Sequence, residues 1–523
     1  MAAIITDDFR RNSTTFLLDD IKDTNSGAQD SANNTADFEY FIGIGKSDPW
    51  DNDASNNPET SQNFSTPLPT GSVVESKEVI DNLIGAVAIK TTNAYHVIPR
   101  INWAASRKYK RWNENDPTMF DISTVGGETY YPCYVVSGAS GSEKIYVCLD
   151  NNSNLQYSSE GSYDPALSQI APSGNSQTQN DRNPVYNAAD GYMWAYVADL
   201  NSTSNFNTDQ FISVSSTASG TPQHATNVTG GLVYGFEIVN PGSGISSGAA
   251  GDFKLLINND DNSAIKEISL TLDVTGTGAS VKGVRMTNAP GSANVAVDYF
   301  QTETLGTKRA SVVPASTVTA TVLPEIRPLV APIDGFGFNP LNDLPTFYAG
   351  LAVNYNGDVD GELTTDINYR QISLLRNPVR TDDDSGDPTG DGSYTEQEVY
   401  NALRSFTVAG GTDLSGVNAG DIIEDATTGI GIAAKAFVDY VDSANNKVYF
   451  HQNLSTGINQ QEFTAADGTN SKINIGSLTA VVYSAITTPE YTPYTGEVYF
   501  LENRKPIQRA PSQEEEIKLV IQF

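Results

Sequence analysis

The chain reads as a mainly β protein with a few short helices, and three observations carry that reading. Short segments of alternating apolar and polar residues recur from Tyr40 onward, separated by clusters of Gly, Asn, Ser and Asp. Two long stretches, about Phe211 to Glu325 and Ser405 to Ser484, turn to Thr, Val, Gly and Ser with few aromatics, the texture of all-β modules. The last segment, Glu516 to Phe523, places Ile517, Leu519, Ile521 and Phe523 on one face and Lys518 and Gln522 on the other, which is the period of a half-buried strand. At 523 residues the chain is long enough for more than one core.

Taken in order, Asn12 or Ser13 is placed to cap a short helix whose Phe16, Leu17 and Ile21 share one face. Asp23 to Asp37 is a polar loop. Phe38 to Ile44 reads as a buried strand, ended by Lys46, Ser47, Asp48, Pro49 and Trp50. After an Asn-, Ser- and Pro-rich loop, Ser72 and Glu75 form a capping box for a second helix, with Val73, Ile80, Leu83, Ile84 and Val87 at helical spacing. Strands are then predicted at Tyr95 to Ile98, Tyr130 to Val136, Lys144 to Leu149, Tyr192 to Leu200, Ile265 to Val274, Ser316 to Leu323, Pro345 to Tyr355, Tyr369 to Leu375 and Lys447 to His451. Between the last two, Thr395 with Glu398 is predicted to cap a helix carrying Val399, Leu403 and Phe406. Near the end, Gly496 to Leu501 is apolar on both faces and is expected to be buried on both. Asn503, Arg504, Lys505 and Pro506 then turn the chain, since proline cannot donate to a ladder.

Charge narrows the function classes. With 31 Lys and Arg against 63 Asp and Glu, the formal charge of −32 repels phosphate and anionic headgroups, which argues against nucleic-acid and membrane-surface roles. Met1 to Arg11 lacks the apolar core of a signal peptide, and no apolar run has the length of a membrane span, so a soluble, cytoplasmically made protein is expected. Cys133 and Cys148 are too few for a disulfide scaffold. The hairpin pattern from Tyr130 to Asp150 sets them opposite each other, where they pair if oxidised and otherwise fill the core as small apolar side chains.

The places where chemistry is usually written do not hold it. Gly43, Gly45, Lys46 and Ser47 suggest a phosphate loop, but Tyr40 stands where the first glycine is required and Pro49 follows at once, so a structural turn is the better reading. The acidic run Asp382 to Asp387 has its glycine one place out of register for a calcium loop and reads as a solvated loop. His96, His224 and His451 lie far apart without ligand spacing, and Gly138 to Ser142 lacks the last glycine of a nucleophile elbow and reads as a hairpin tip. Carboxylates are too numerous to nominate a pair. No enzyme activity, cofactor, metal or small-molecule substrate is expected.

Five fragments carry a resemblance: Tyr40 to Trp50 (YFIGIGKSDPW), Val97 to Trp103 (VIPRINW), Asp190 to Tyr196 (DGYMWAY), Arg370 to Pro378 (RQISLLRNP) and Gly496 to Phe523. In this order they resemble the homodimeric baseplate wedge subunit of T-even-type contractile-tailed bacteriophages, over about Met1 to Leu200, Leu329 to Val399 and Tyr491 to Phe523. The resemblance implies a layered β-sandwich core with helices on loops, free of catalytic residues. The implied partners are a second copy and neighbouring wedge subunits, and the implied location is the tail baseplate of a virion assembled in the host cytoplasm. It nominates Lys46, Ser47, Pro49, Trp50, Arg100, Trp103, Asp190, Trp194, Arg370, Gln371, Asn503, Arg504 and Pro506 as structural or interface positions. The tryptophans read as core anchors, and Arg100 and Arg504 as braces of turns through carbonyls. The two Thr- and Val-rich stretches have no counterpart in the resemblance and look like insertions. The implied division is 1–210, 326–404 and 485–523 for the sandwich, with all-β modules at 211–325 and 405–484. An alternative reading is a receptor- or glycan-binding tail protein that uses those modules.

Overall fold

A computed structural model describes residues 5–22, 39–50, 59, 61–89, 91–152, 166–173, 185–186, 189–200, 204, 206–215, 233–249, 251–258, 264–275, 279–286, 309–330, 332, 336–337, 339–355, 367–378, 399–426, 434–452, 463, 471–484, 486–487, 489–490, 495–508 and 515–523. The Asp382 to Asp387 run, His224 and the Asp23 to Asp37 loop lie outside them. The described chain is mainly β, in largely antiparallel sheets with three short helical segments longer than a 3-10 turn. It divides into two compact units. One comprises Met1–Thr15, Tyr95–Gly350 and Ile521–Phe523, and the other Phe16–Ala94 and Leu351–Val520.

The first unit is built on a four-stranded sheet in the order Tyr134–Ser137, Lys144–Asn151, Tyr192–Asp199, Val185–Tyr186. The first two strands are the predicted hairpin, with Gly138 to Ser142 at its tip. Both cysteines are free and buried. Although Cys148 N–H donates to the Cys133 carbonyl at 2.6 Å, the side chains belong to different apolar clusters, Cys133 with Val147 and Trp112, Cys148 with Tyr109 and Trp194. Their thiols therefore serve as core, and burial pushes the Cys148 thiol well above its usual pKa. Phe211–Val214, at the edge of the first Thr- and Val-rich stretch, pairs with Val97 and its neighbours. Beyond it Val233–Asn240 pairs with Glu325–Val330, and a second sheet runs Ser280–Met286, Ala264–Thr275, Phe253–Asn258, Arg309–Pro314. Its inward residues Phe253, Leu255, Leu270, Leu272, Val281 and Val284 join the same cluster as Ile98, Tyr134, Val147 and Leu344.

The second unit holds a five-stranded sheet in the order Val399–Asn401, Leu83–Ile89, Tyr40–Gly45, Tyr369–Arg376, Glu497–Ile507. Tyr40–Gly45 and Leu83–Ile89 are buried at every position, as central strands covered on both faces are. A Cβ on Gly43 would lie 2.7 Å from Leu83 Cδ1 and 2.8 Å from Ser373 Oγ, so that glycine answers to packing across the sheet. The chain of 405–484 forms a six-stranded sheet, Arg404–Thr407, Lys447–His451, Lys435–Asp442, Ile422–Asp425, Lys472–Ile475, Leu478–Val482. Its two ends meet: bridges Val408 to Tyr483 and Ser405 to Thr487 close the sheet on itself, around Phe406, Val438, Phe450, Ile473 and Ile475. Closure removes the unpaired edges that an open sheet exposes.

Several expectations are corrected. The first helix is longer than predicted, Asp7–Lys22, and turns Leu17, Leu18 and Ile21 inward while Phe16 is 74% exposed. The second helix has its predicted N-cap, Ser72 Oγ accepting from Glu75 N–H at 3.1 Å, but ends at Asp81. Leu83, Ile84 and Val87 belong to a strand because LIGAVAI is apolar throughout, so the ladder to Tyr40–Gly45 decides its geometry. Val399 and Phe406 also lie in strands, Val399–Asn401 and Arg404–Thr407. Asn503 to Pro506 does not turn the chain but continues the edge strand Glu497–Ile507. There Tyr369 faces Ile507 and Gln371 faces Asn503, so the surplus residues bulge. Pro506 is tolerated because an outermost strand has a side on which no donor is needed. Being outermost, this strand is not buried on both faces, and Tyr499 is 51% exposed. The terminal strand Glu515–Gln522 does alternate, with Ile517 and Leu519 buried.

Candidate functional site

Nine of the thirteen nominated positions lie in the second unit, and eight of them, all but Pro506, are joined by contacts although they come from three fragments of the chain. The strand Tyr40–Gly45 ends because Lys46 adopts φ +60°, a left-handed conformation uncommon for a side chain this long, fixed by its N–H bond to Asn82 O at 2.9 Å. This kink throws Ser47 inward. Its carbonyl accepts from Arg370 and its hydroxyl donates to Asp439. Arg370 also forms a bidentate pair with Glu59, at 2.8 and 3.0 Å, its side chain 7% exposed. Burial by itself raises the Glu59 pKa, but the bonds from Arg370 and from Trp50 N–H outweigh it and hold the carboxyl below its usual range.

The third fragment closes the site. Trp50 Nε1 donates to Arg504 O at 2.9 Å, and Lys46 Nζ lies 4.9 Å from the Trp50 ring while pairing with Asp48 at 3.0 Å. Gln371 donates to Asn503 Oδ1 and Asn503 to Pro67 O, both at 3.0 Å. The Arg504 guanidinium pairs with Glu502 on its own strand, so that residue contributes its carbonyl and not the brace its neighbouring proline suggested. Pro49 packs beside Gly420 of the closed sheet, where a Cβ would lie 3.9 Å from its Cδ.

Glu59, Asp439 and His451 belong to this network and were not nominated. His451 Nδ1 lies 2.8 Å from Asp439 Oδ1, and Asp439, His451 and Ser47 are all buried. Burial lowers the His451 pKa, but the Asp439 carboxylate against it more than compensates, so the imidazole titrates above its usual value. The trio contains the residue types of a hydrolase triad in the wrong order. Serine and histidine both bond the carboxylate, and no bond runs from the hydroxyl to the imidazole, so the imidazole has no path to the serine proton. What the arrangement does is hold the Lys46 to Trp50 turn against the closed sheet. No spacing rule reveals it, since Ser47 and Asp439 are 392 positions apart.

The other four nominated positions lie in the first unit. Asp190 caps a loop, accepting from Gln169 N–H at 2.8 Å and Tyr192 N–H at 3.1 Å. Trp194 stacks on Tyr192 at 5.5 Å and meets Tyr109 edge-on, as a core anchor. Trp103 donates from Nε1 to Ser168 Oγ at 3.1 Å, and Arg100 pairs with Glu143 and bonds Asn102 Oδ1 at 2.9 Å. Arg100 and Trp103 border an open cleft of about 550 Å³. Of the remaining histidines in the described residues, His96 meets Thr15 Oγ1 at 3.1 Å. Among the described residues no group of three or more His, Cys, Asp or Glu is arranged to hold a metal, and no helix is long and apolar enough to cross a membrane.

No family model matches the chain. It is 27% identical over 169 residues, 31% of its length, to the baseplate wedge protein gp8 of Enterobacteria phage T4, and spans about half, 47%, of that curated relative. The chain is thus distantly similar to a structural protein of a phage baseplate.

Proposed function

We propose that this chain is a structural component of a phage tail baseplate wedge, working by pairing with a second copy and bridging neighbouring wedge subunits. The observation that carries the reading is the similarity to the T4 baseplate wedge protein. The static character of the network around Ser47 and Arg370 supports it. The bonds of Ser47, Arg370 and Trp50 there hold a turn, a strand end and a closed sheet in register, which suits a part that transmits load. The nominated residues act mainly by shaping surfaces. Of the nominated residues Arg504, exposed on the outermost strand beside the exposed Lys505 and Tyr499, is the one best placed to touch another subunit. The protein is assembled in the host cytoplasm and resides in the virion, without catalytic activity of its own.

Gold-labelled antibody raised against the purified chain and applied to intact virions tests the reading, with label expected at the tail tip. Label on the head or along the sheath, or virions without the protein, would overturn it. Light scattering at micromolar concentration tests the pairing separately, with twice the 56.1 kDa chain mass expected.

A further inference from the structure

The cleft beside Arg100 and Trp103 is a different kind of place from the network around Ser47. It is open, about 550 Å³, within the ordinary range for small-ligand sites, and lies wholly within the first unit. Its polar groups are held rigid by bonds that leave capacity to spare. Arg100 bonds Asn102 through Nε and Glu143 through one terminal nitrogen, so further guanidinium N–H groups remain for a ligand, and Glu143 retains its second oxygen as an acceptor. The hairpin tip, with Gly138, Ala139 and exposed Ser142, forms one rim, and Trp103, only partly buried, lines the cleft with its indole orientation fixed by the Nε1 bond to Ser168.

Charge decides what fits. Arg100 is matched by Glu143, and Lys144, the remaining cation in the lining, is matched by Asp199 at 2.8 Å, so the cleft is neutral within a chain of formal charge −32. An anion meets no free cation there and a repulsive chain around it, while a cation meets no unpaired carboxylate. A fully apolar ligand would strand the guanidinium and the carboxylate without water. The combination of a fixed aromatic surface with a planar donor and acceptor side by side matches a ligand with an apolar C–H face and vicinal hydroxyls at its edge. We propose that this cleft binds a short neutral saccharide, with Trp103 under the ring and the Arg100 and Glu143 pair on two adjacent hydroxyls.

The test is saturation-transfer NMR on the full-length chain with D-glucose, D-galactose, L-rhamnose and N-acetylglucosamine, each as monosaccharide and as disaccharide, at millimolar concentration. At least one is expected to receive saturation at its ring protons. Trp103→Ala and Arg100→Met should weaken that binding at least tenfold. Because both remove packed groups, Ser142→Trp provides the second arm: it fills the mouth from an exposed rim position and should abolish binding with an unchanged melting temperature. Leu68→Ser, an exposed position in the other unit, should change nothing. Absence of binding by all eight sugars, or binding that survives Ser142→Trp, would overturn the proposal. Either result is independent of whether the chain resides in a baseplate.

Discussion

The stretch from Val233 to Val330 and the stretch from Arg404 to Tyr483 are built from the same material, short antiparallel strands rich in Thr, Val and Ile, yet they stand differently toward their cores. The first does not keep its apolar residues to itself. Phe236, Phe253, Leu255, Leu270 and Leu272 belong to one cluster with Tyr134, Val147 and Val197 of the hairpin sheet and its neighbour strand. The second encloses its own cluster, Phe406 to Tyr483, and seals its sheet through the bridges between Val408 and Tyr483 and between Ser405 and Thr487. Its link to the five-stranded sheet includes a polar contact, Ser47 to Asp439. Composition makes two regions look like equivalent additions, while the ownership of the core decides which one the surrounding structure depends on. A closed sheet satisfies its own edges and core, and can be carried at a loop closure cost that grows slowly with length. An open sheet that lends its inner face to a shared core cannot be withdrawn without leaving that core open to water.

The sharpest way to break this comparison is to excise each stretch in turn. Replacing 405–484 by a short Gly and Ser linker is expected to leave a chain that is soluble and melts cooperatively. The same replacement of 211–325 should abolish cooperative melting of the first unit. Each buried Leu or Phe withdrawn is worth about 1.5 to 3 kcal/mol, and their loss together exceeds the ~5 to 15 kcal/mol by which a domain is stable. Calorimetry of both proteins decides. A cooperative transition in the second case, or insoluble chain in the first, reverses the assignment of shared and private cores.

A smaller effect probes the polar link. Asp439→Ala leaves Ser47 and His451 buried without their partner and should cost about 3 to 5 kcal/mol, the usual penalty for breaking a buried pair from one side. If the closed sheet is an independent unit, limited proteolysis should then cut at the Lys46 to Trp50 turn before it cuts within Phe406 to Ile475. Simultaneous loss of both would show that the sheet leans on its neighbour for more than this contact.

The most gradual expected effect is in pH dependence, where the two units differ in window. Asp343, buried in the first unit and accepting from Gly337 N–H at 2.6 Å, is pushed up to about 7 by burial from its usual 3.8. The fold therefore holds its proton more tightly than the unfolded chain does. That contribution is complete below about pH 4 and is lost as pH rises towards 7, at no more than about 1.4 kcal/mol per pH unit. His451, in the second unit, is also raised, so its contribution is complete below about 6.5 and is lost at higher pH, as the imidazole gives up its proton. Melting temperature against pH should lose its slope between pH 4 and 7 in Asp343→Asn, and its slope above pH 6.5 in His451→Gln. Identical profiles for the wild type and Asp343→Asn would mean that Asp343 is solvated and the described burial does not govern its titration.

What the sequence determined by itself is what acts over a few residues. The strands at Tyr192 to Leu200 and Lys447 to His451, the hairpin within Tyr130 to Asp150 with its Gly138 to Ser142 tip, and the Ser72 cap are set by strand propensity, turn and capping chemistry, and each is found where those rules put it. Where a segment satisfies two periods at once, as Leu83 to Ile89 does, only the ladder it enters makes the choice, since apolar residues at every position suit a buried helix as well as a central strand. Pro506 reads as a turn until the strand it sits in is known to be outermost. The candidate site follows the same division. Lys46, Trp50, Arg370 and Asn503 could be nominated as positions, but the partners that give them their work, Glu59, Asp439 and His451, are brought to them by folding from as far as 392 positions away. Burial and pairing energies depend on distance in space, and nothing in local spacing encodes which two distant side chains will share a carboxylate.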